Sequence, residues 1–391
     1  MATTHDWPIK RLDEFVSLQR GRDLTWRDRR PGKVPVLGSA GVNGAHDQAI
    51  APGPGVVLGR SGASFGQAHY VDTDFWPHNT ALYVTDFHGN HPRFAFHLLD
   101  SLDFSRHNSG GAQQSLNRNF IAGIDISVPD LSEQQRIAAV IDDRDRLIAT
   151  LQRLIAKKQV IKQGMMQQLL TGRTRLPGFA ETWTDTQLGD HVTFVKTVAL
   201  SRAQLDGSSP LRYLHYGDIH TRNTVYLDAS QEPMPRAATV LAGRAGKLQV
   251  GDLVFADASE DPEGVGKSVE ITGVPSEGVV PGLHTIAARF DKAVLADGFK
   301  AYLQFIPACR EQLLRLAAGT KVLATTRTYV SSVTLALPGI DEQKAIARAL
   351  SDCETEIEAL RVRLDKARAI KTGMMQQLLT GRTRLPVEVS S

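Results

Sequence analysis

The run Glu263-Gly-Val-Gly-Lys267-Ser268 imitates the end of a phosphate-cradling loop, where backbone N–H groups and a lysine would hold a nucleotide. That loop needs its first glycine where Asp261 stands, so the full GxxxxGK(S/T) pattern is missing and ATP binding is not expected. Methylation of an amino group would call for an Asn-Pro-Pro-aromatic tetrapeptide, which does not occur. Glu342-Gln-Lys344 looks like half of a nuclease motif, yet it opens a helix and lacks a metal-binding aspartate upstream in the same strand. Helix capping and packing explain it better. The 12 histidines show no HExxH or similar metal spacing. Cys309 and Cys353 stand far apart without a CxxC, which supports neither a zinc site nor a disulfide framework, so buried, inert thiols are expected. No catalytic or metal constellation emerges.

What does emerge is a repeat. Ile161-Lys-Gln-Gly-Met-Met-Gln-Gln-Leu-Leu-Thr-Gly-Arg-Thr-Arg-Leu-Pro177 recurs as Ile370 to Pro386 with one change, Gln163 against Thr372. The offset of 209 holds without a gap back to Pro129 and Pro338, and 25 of these 49 positions are identical. Glu133-Gln134 matches Glu342-Gln343.

Both copies predict long helices, because apolar residues recur at alternating steps of three and four. The second runs Ile346, Leu350, Cys353, Ile357, Leu360, Leu364, Ala367, Ile370, Met374, Leu378. The first runs Ile137, Ile141, Ile148, Leu151, Ile155, Ile161, Met165, Leu169, with Arg144 and Lys158 at seam positions. Ser132 or Asp341 can cap each start, and Thr171-Gly172 or Thr380-Gly381 can end each helix with a left-handed glycine. About 40 residues make a rod of roughly 60 Å. Such a seam packs against another helix, within a bundle core, a homodimer or the same chain; two matching helices in one chain favour intramolecular, antiparallel pairing, with the intervening domains at opposite ends. For Arg173, Arg175, Arg382 and Arg384, complementing the helix C-terminus and contacting a partner or phosphate both stand open.

Between the helices the halves share their starts. Trp7, Leu12 and Val16 parallel Trp183, Leu188 and Val192 at a spacing of 176, after which the sequences diverge. Short apolar runs such as Gly55–Leu58 and Gly251–Phe255, punctuated by Gly, Pro and Asn, predict β-rich, loop-rich α/β domains. Each ends in a glycine-opened polar loop, Gly110–Asn119 or Gly319–Thr328, then a strand, Ile124–Val128 or Val333–Leu337. Like boundaries around unlike middles suggest duplication followed by specialisation.

Charge adds little. The net +3 of this 391-residue chain is weakly basic, with 12 basic and 12 acidic residues from Asp6 to Val128 and 15 against 16 from Thr182 to Leu337. A bulk electrostatic case for DNA binding is poor, so it must rest on organisation and local motifs. The absence of any run of 18 or more apolar residues, and of a signal-peptide core in Met1–Lys10, points to the cytoplasm.

A W-x4-L start, a variable middle, a Gly-rich polar loop, a strand, Pro-x3-Glu-Gln and a helix closing in Gln-Gln-Leu-Leu-Thr-Gly-Arg, all present twice, resemble the DNA specificity subunits of Type I restriction-modification systems. The first middle resembles one recognition-domain subtype through Gly59–Gly66 and Asp74–Thr80, the second another through Tyr213–His220, Gly251–Phe255, Gly266–Ser268 and Gly282–Ile286. The resemblance implies a non-catalytic subunit that reads a bipartite, asymmetric target in double-stranded DNA and holds two methyltransferase subunits for adenine methylation. Restriction/translocase subunits would add cleavage. S-adenosylmethionine, ATP and Mg would sit on those partners, and no cofactor on this chain.

The implied organisation is mixed α/β (α+β), with two globular target-recognition domains separated by a pair of long antiparallel coiled-coil helices in an internal pseudo-twofold repeat. Its expected boundaries are 1–130 and 178–338 for the domains, 131–177 and 339–386 for the helices, and 387–391 for a tail. Arg suits guanine, and Asn or Gln suits adenine. The expected DNA contacts are therefore Arg60, Ser61, Ser64, His78, Asn79, Gln113, Gln114, Asn117 and Arg118 in the first domain. In the second they are His215, Tyr216, His220, Arg222, Lys267, His284, Lys321, Thr326 and Arg327. Each could instead satisfy backbone groups, and Tyr213 or Trp76 suits a core. An orphan DNA-binding regulator and a structural coiled-coil scaffold remain as alternatives.

Overall fold

The structure, a computed structural model, describes residues 7–108, 114–317 and 323–386. The chain divides into two units, residues 1–154 with 360–391, and residues 155–359. Long helices span Leu131–Leu169 and Ile340–Leu378, and each contributes one part to either unit. Among the described residues no helix is long and apolar enough to cross a membrane.

Both helices start earlier than the Ser132 and Asp341 caps imply. Asp130 Oδ1 accepts the Glu133 backbone N–H at 2.8 Å and is the cap of the first helix. Gly339 stands at the matching place in the second, where only its carbonyl accepts, from Gln343 N at 3.0 Å. Asp341 lies inside that helix, exposed beside Lys344. At the other ends Gly172 and Gly381 take φ of +67° and +70°, as the sequence predicts. A side chain there would also crowd an indole, since a Cβ would lie 3.3 Å from Trp183 and 3.2 Å from Trp7.

Ile346, Leu350, Cys353, Ile357, Leu364, Ala367 and Leu378 are buried along the second helix, as are Ile137, Ile141, Leu151 and Leu169 along the first. Ile161 and Ile370 leave the stripe, at 43% and 51% exposed. At about 100° per residue each lies roughly 120° around its helix from Ile137 or Ile346. Lys158 is likewise no core residue; it pairs with Glu356, and Lys162 pairs with Glu354. One number rises as the other falls, so the helices run antiparallel within this unit. In the other unit Lys371 meets Asp145 at 2.6 Å.

The two unlike middles fold on one plan. In the first unit Ser17–Arg20, Ala81–Asp86, Gly55–Gly59 and Ala68–Val71 form an antiparallel sheet in that spatial order. In the second, Val192–Val195, Thr285–Phe290, Leu253–Ala256 and Ser268–Gly273 repeat the order, with Tyr226–Asp228 added in parallel. A short ribbon leads into each long helix, Ile9–Arg11 with Asp125–Ser127 and Thr184–Gln187 with Thr334–Leu337. Each core is closed by the start of one long helix and the end of the other. Leu58, Phe94 and Leu99 pack with Ile137, Ile141, Leu378 and Leu379; Phe255, Phe299 and Tyr302 pack with Ile346, Leu350, Leu169 and Leu170.

The repeated motifs meet in a joint that occurs twice. Arg175 grips Glu342 through Nε and Nη2, both 2.5 Å, and Trp183 Nε1 donates to the same carboxylate at 3.2 Å. Arg384 grips Glu133 at 2.6 and 2.5 Å, with Trp7 Nε1 donating at 3.1 Å. Glu133 and Glu342 are buried, so a charge partner and an N–H offset the cost of desolvation. Gln134 and Gln343 hold the adjacent domain by accepting from His91 N and Ala296 N. The Glu-Gln and Arg-Thr-Arg motifs thus serve structure at six positions, Glu133, Gln134, Arg175, Glu342, Gln343 and Arg384, leaving Arg173 and Arg382 exposed.

Candidate nucleic-acid interface

The sheet registers place Arg60 and Asp257 at equivalent points. Arg60 N donates to Thr80 O (3.1 Å) and its carbonyl accepts from Leu116 N (2.8 Å); Asp257 N donates to His284 O (3.0 Å) and its carbonyl accepts from Thr325 N (2.7 Å). Each residue follows an inner strand and opens a hairpin tip with a 3-10 turn, Gly62–Ser64 or Pro262–Gly264, closed by Gly66 or Gly266 at positive φ. Each tip pairs with the polar loop that precedes the long helix, through Ser61 with Ser115 and Ala258 with Ala324. The loop then enters a short helix capped by Asn117 or Thr326, with Arg118 or Arg327 as its first residue.

In the first domain this frame builds a cleft of about 420 Å³ lined by Gln19, Arg20, Arg60, Asn117 and Arg118. Its guanidiniums touch only backbone carbonyls: Arg20 and Arg60 donate to Asn79 O at 3.2 and 3.3 Å, and Arg118 to Leu18 O at 3.3 Å. Among the described residues none of the three has a carboxylate partner. Burial and the neighbouring Arg20 both push the Arg60 guanidinium below its ordinary pKa. Three donor-rich cations with no counter-ion suit phosphate oxygens or the O6 and N7 acceptors of guanine.

The second domain carries a larger cleft, about 700 Å³, lined by Tyr216, His220, Glu260, Glu263, Lys267 and His284 among others. The Tyr216 ring meets His215, His220 and His284 with centroids 4.5, 6.0 and 5.3 Å away. Lys267 Nζ is committed to His220 O at 2.5 Å, and His220 Nε2 lies 2.8 Å from Ala258 O. The false phosphate loop is this hairpin tip; it leads into the strand Ser268–Gly273, so no helix N-terminus stands behind it to receive phosphate.

Comparison with known proteins now bears on these two clefts. Residues 4–162 match the family model described as Type I restriction modification DNA specificity domain. The protein assigned as the specificity subunit of the type I restriction enzyme MjaX, from Methanocaldococcus jannaschii, is 25% identical over 291 residues, 70% of this chain and 62% of that protein. The MjaVIII specificity subunit of the same organism is 24% identical over 286 residues, 69% and 64% of the two chains. Residues 4–162 are thus similar to Type I restriction-modification DNA specificity domains, and about 70% of the chain is similar to specificity subunits. The chain spans a little under two thirds of the length of these two relatives. The fold is that of the Type I restriction-modification S subunit from M. genitalium, with a TM-score of 0.64, 13% identity and 97% of each chain covered. The family match ends inside the first long helix, and the second half is tied to it by the internal repeat and by the shared register.

The residues singled out from the sequence fall into three groups. Arg60, Asn117 and Arg118 line the first cleft; Tyr216, His220, Lys267 and His284 line the second. Others are taken up by the scaffold. Asn79 holds the arginines through its carbonyl and Asp23 through its amide at 3.0 Å. His78 bonds Thr80 at 3.1 Å, and Ser61 N meets Ser39 Oγ at 3.3 Å. Buried His215 caps a helical turn by accepting from Gly217 N at 3.1 Å, burial pushing its pKa down. Arg222 is bound to Glu232, Thr224 and Tyr226. Ser64 is half-buried in the hairpin tip; Gln114 is exposed; the exposed Arg327 guanidinium lies 5.6 Å from the Phe194 ring. Asn117 and Thr326 use their side chains as caps, accepting from Asn119 N and Tyr329 N. Gln113 and Lys321 lie outside the described residues.

Sequence reasoning missed Gln19, Arg20, Asp257, Glu260 and Glu263. Carrying the offset of 176 four residues beyond Val16 pairs Arg20 with Lys196 and was the available signal for one of them. His97, Asp142 and Asp145 bring ligand atoms within 4.8 Å of one another, but Arg93 (2.7 Å) and Lys371 (2.6 Å) already neutralise the two carboxylates, which disfavours a metal cation.

Proposed function

We propose that this chain is the DNA-reading subunit of a Type I restriction-modification complex, with residues 1–130 and 178–338 as target-recognition domains for the two halves of a bipartite, asymmetric site. The observation that carries this reading is the doubled frame: one hairpin tip and polar loop, built twice on one register, bearing unlike side chains. A shared frame suits one mode of approach to DNA, and unlike side chains suit two half-sites. The chain contributes address and no chemistry. Two methyltransferase subunits dock on the repeated helices, where exposed Arg173 and Arg382 are available, and bring S-adenosylmethionine for adenine methylation. Restriction subunits add ATP-driven cleavage, all in the cytoplasm.

Mapping methylated adenines in cells with and without the gene tests this directly. A bipartite motif that disappears on deletion is expected, and an unchanged methylome overturns the reading. Native mass spectrometry should show two methyltransferases per chain; a saturated one-to-one complex would count against the doubled docking surface.

A further inference from the structure

At the point where the first domain places Arg60, the second places Asp257, and this carboxylate holds His284. Asp257 Oδ1 lies 3.0 Å from His284 Nδ1. A carboxylate here accepts from Nδ1–H, and in the neutral ring that tautomer leaves Nε2 as an acceptor. His284 is one of two non-glycine residues with positive φ among those described, at +55°, a conformation that costs energy and is held here by the surrounding strands. Its side chain is 50% exposed. Its Nε2 makes no hydrogen bond among the described residues.

The cleft beside it has the same polarity. Glu260 and Glu263 are exposed on its wall and have no hydrogen bond or ion pair among the described residues. Carboxylates repel the phosphate backbone, so a DNA face lined with them is suited to something other than phosphate. The major groove offers hydrogen-bond donors at adenine N6 and cytosine N4. Resting on the reading of this chain as a DNA specificity subunit, we propose that the second domain reads an exocyclic amino group through His284 Nε2. His284 is the specificity-determining residue, Asp257 the residue that sets its tautomer, and the carboxylates of the wall keep phosphate out.

The test uses the full-length chain assembled with its methyltransferase, and duplexes carrying the target found by methylome mapping. Each adenine or cytosine of the second half-site is replaced in turn by purine or 2-pyrimidinone, which lack the amino group. One replacement should weaken wild-type binding about 10- to 100-fold, in line with one lost base contact of about 1–3 kcal/mol. In His284→Gly, which tolerates positive φ, the same replacement should have no further effect, while discrimination in the first half-site stays intact and reports a folded protein. Asp257→Asn can donate to Nδ1 and leave Nε2 protonated, so preference at that position should move towards guanine or thymine. The proposal is overturned if no amine deletion in that half-site matters, or if His284→Gly remains as sensitive as wild type. Absence of any sequence-selective binding by the wild-type assembly would instead overturn the DNA-reading function itself.

Discussion

The two hairpin tips differ in charge at a place where their backbones agree. Arg60 and Asp257 share strand register, a pattern of backbone hydrogen bonds and position beside the polar loop, yet one domain surrounds that point with Arg20 and Arg118 and the other with His284, Tyr216 and two exposed glutamates. The comparison teaches that the frame and the side chains at its tip vary independently. Backbone hydrogen bonds and buried apolar residues build the frame, whereas the exposed side chains at its tip add little to stability and are free to change.

If the frames are equivalent, equivalent core truncations should act alike. Ile137→Ala and Ile346→Ala remove side chains at 0% and 1% exposure and should each cost about 2–5 kcal/mol. Hydrogen exchange should show the loss of protection confined to the unit that holds the substitution. Equal loosening of both units by either change would break the picture of two separately closed cores.

The second comparison is one of buried polarity. Tyr70 and Glu270 occupy the same register, opposite Val56 and Leu253. Burial pushes the Glu270 carboxyl up to about 7, against the backbone N–H groups of Gly298 and Ala301 and the Lys300 ammonium, which favour its charged form. A raised carboxyl favours the folded state when protonated, so its contribution is present below about pH 4.5 and is lost as the pH rises to about 7. The loss is on the order of 3 kcal/mol and should be confined to the second unit. Glu270→Gln should flatten this part of the profile. In the first unit the sign reverses, because burial lowers the pKa of His97 and stability is lost as the pH falls below about 6.5. Unfolding of both units with one pH dependence would contradict the assignment.

Charge at the tip should matter to DNA and hardly to folding. Arg60→Ala should cost about 1–3 kcal/mol in recognition of the first half-site, if it reads guanine, and leave the second untouched. If instead Arg20 or Arg118 meets phosphate, its removal should weaken all sequences alike and reduce the salt slope by about one unit. Competition binding over a salt series separates these outcomes.

The smallest difference lies at the helix starts. Asp130 caps the first long helix and Gly339 leaves the second without a side-chain cap. Asp130→Ala should cost about 1 kcal/mol, and Gly339→Ser should gain a few tenths, both visible in amide exchange of the first helical turns. A Gly339→Ser variant no more stable than wild type would mean the second start gains nothing from an added hydroxyl.

The sequence by itself determined the repeat and the long helices with their glycine ends, because those features rest on identical residues at a constant offset and on apolar periodicity. It also marked Arg60, Arg118, His284 and Lys267 as polar residues on loops. It could not show that Glu133 would be matched by Arg384 or Glu342 by Arg175, since those partners are brought together only when one helix end meets the other helix start. Nor could it align Arg60 with Asp257. Thr80 follows Arg60 by 20 residues while His284 follows Asp257 by 27, so no constant offset links the two tips. Their equivalence is a matter of strand register, set by backbone N–H and C=O groups that every residue carries, and only the tertiary structure decides it.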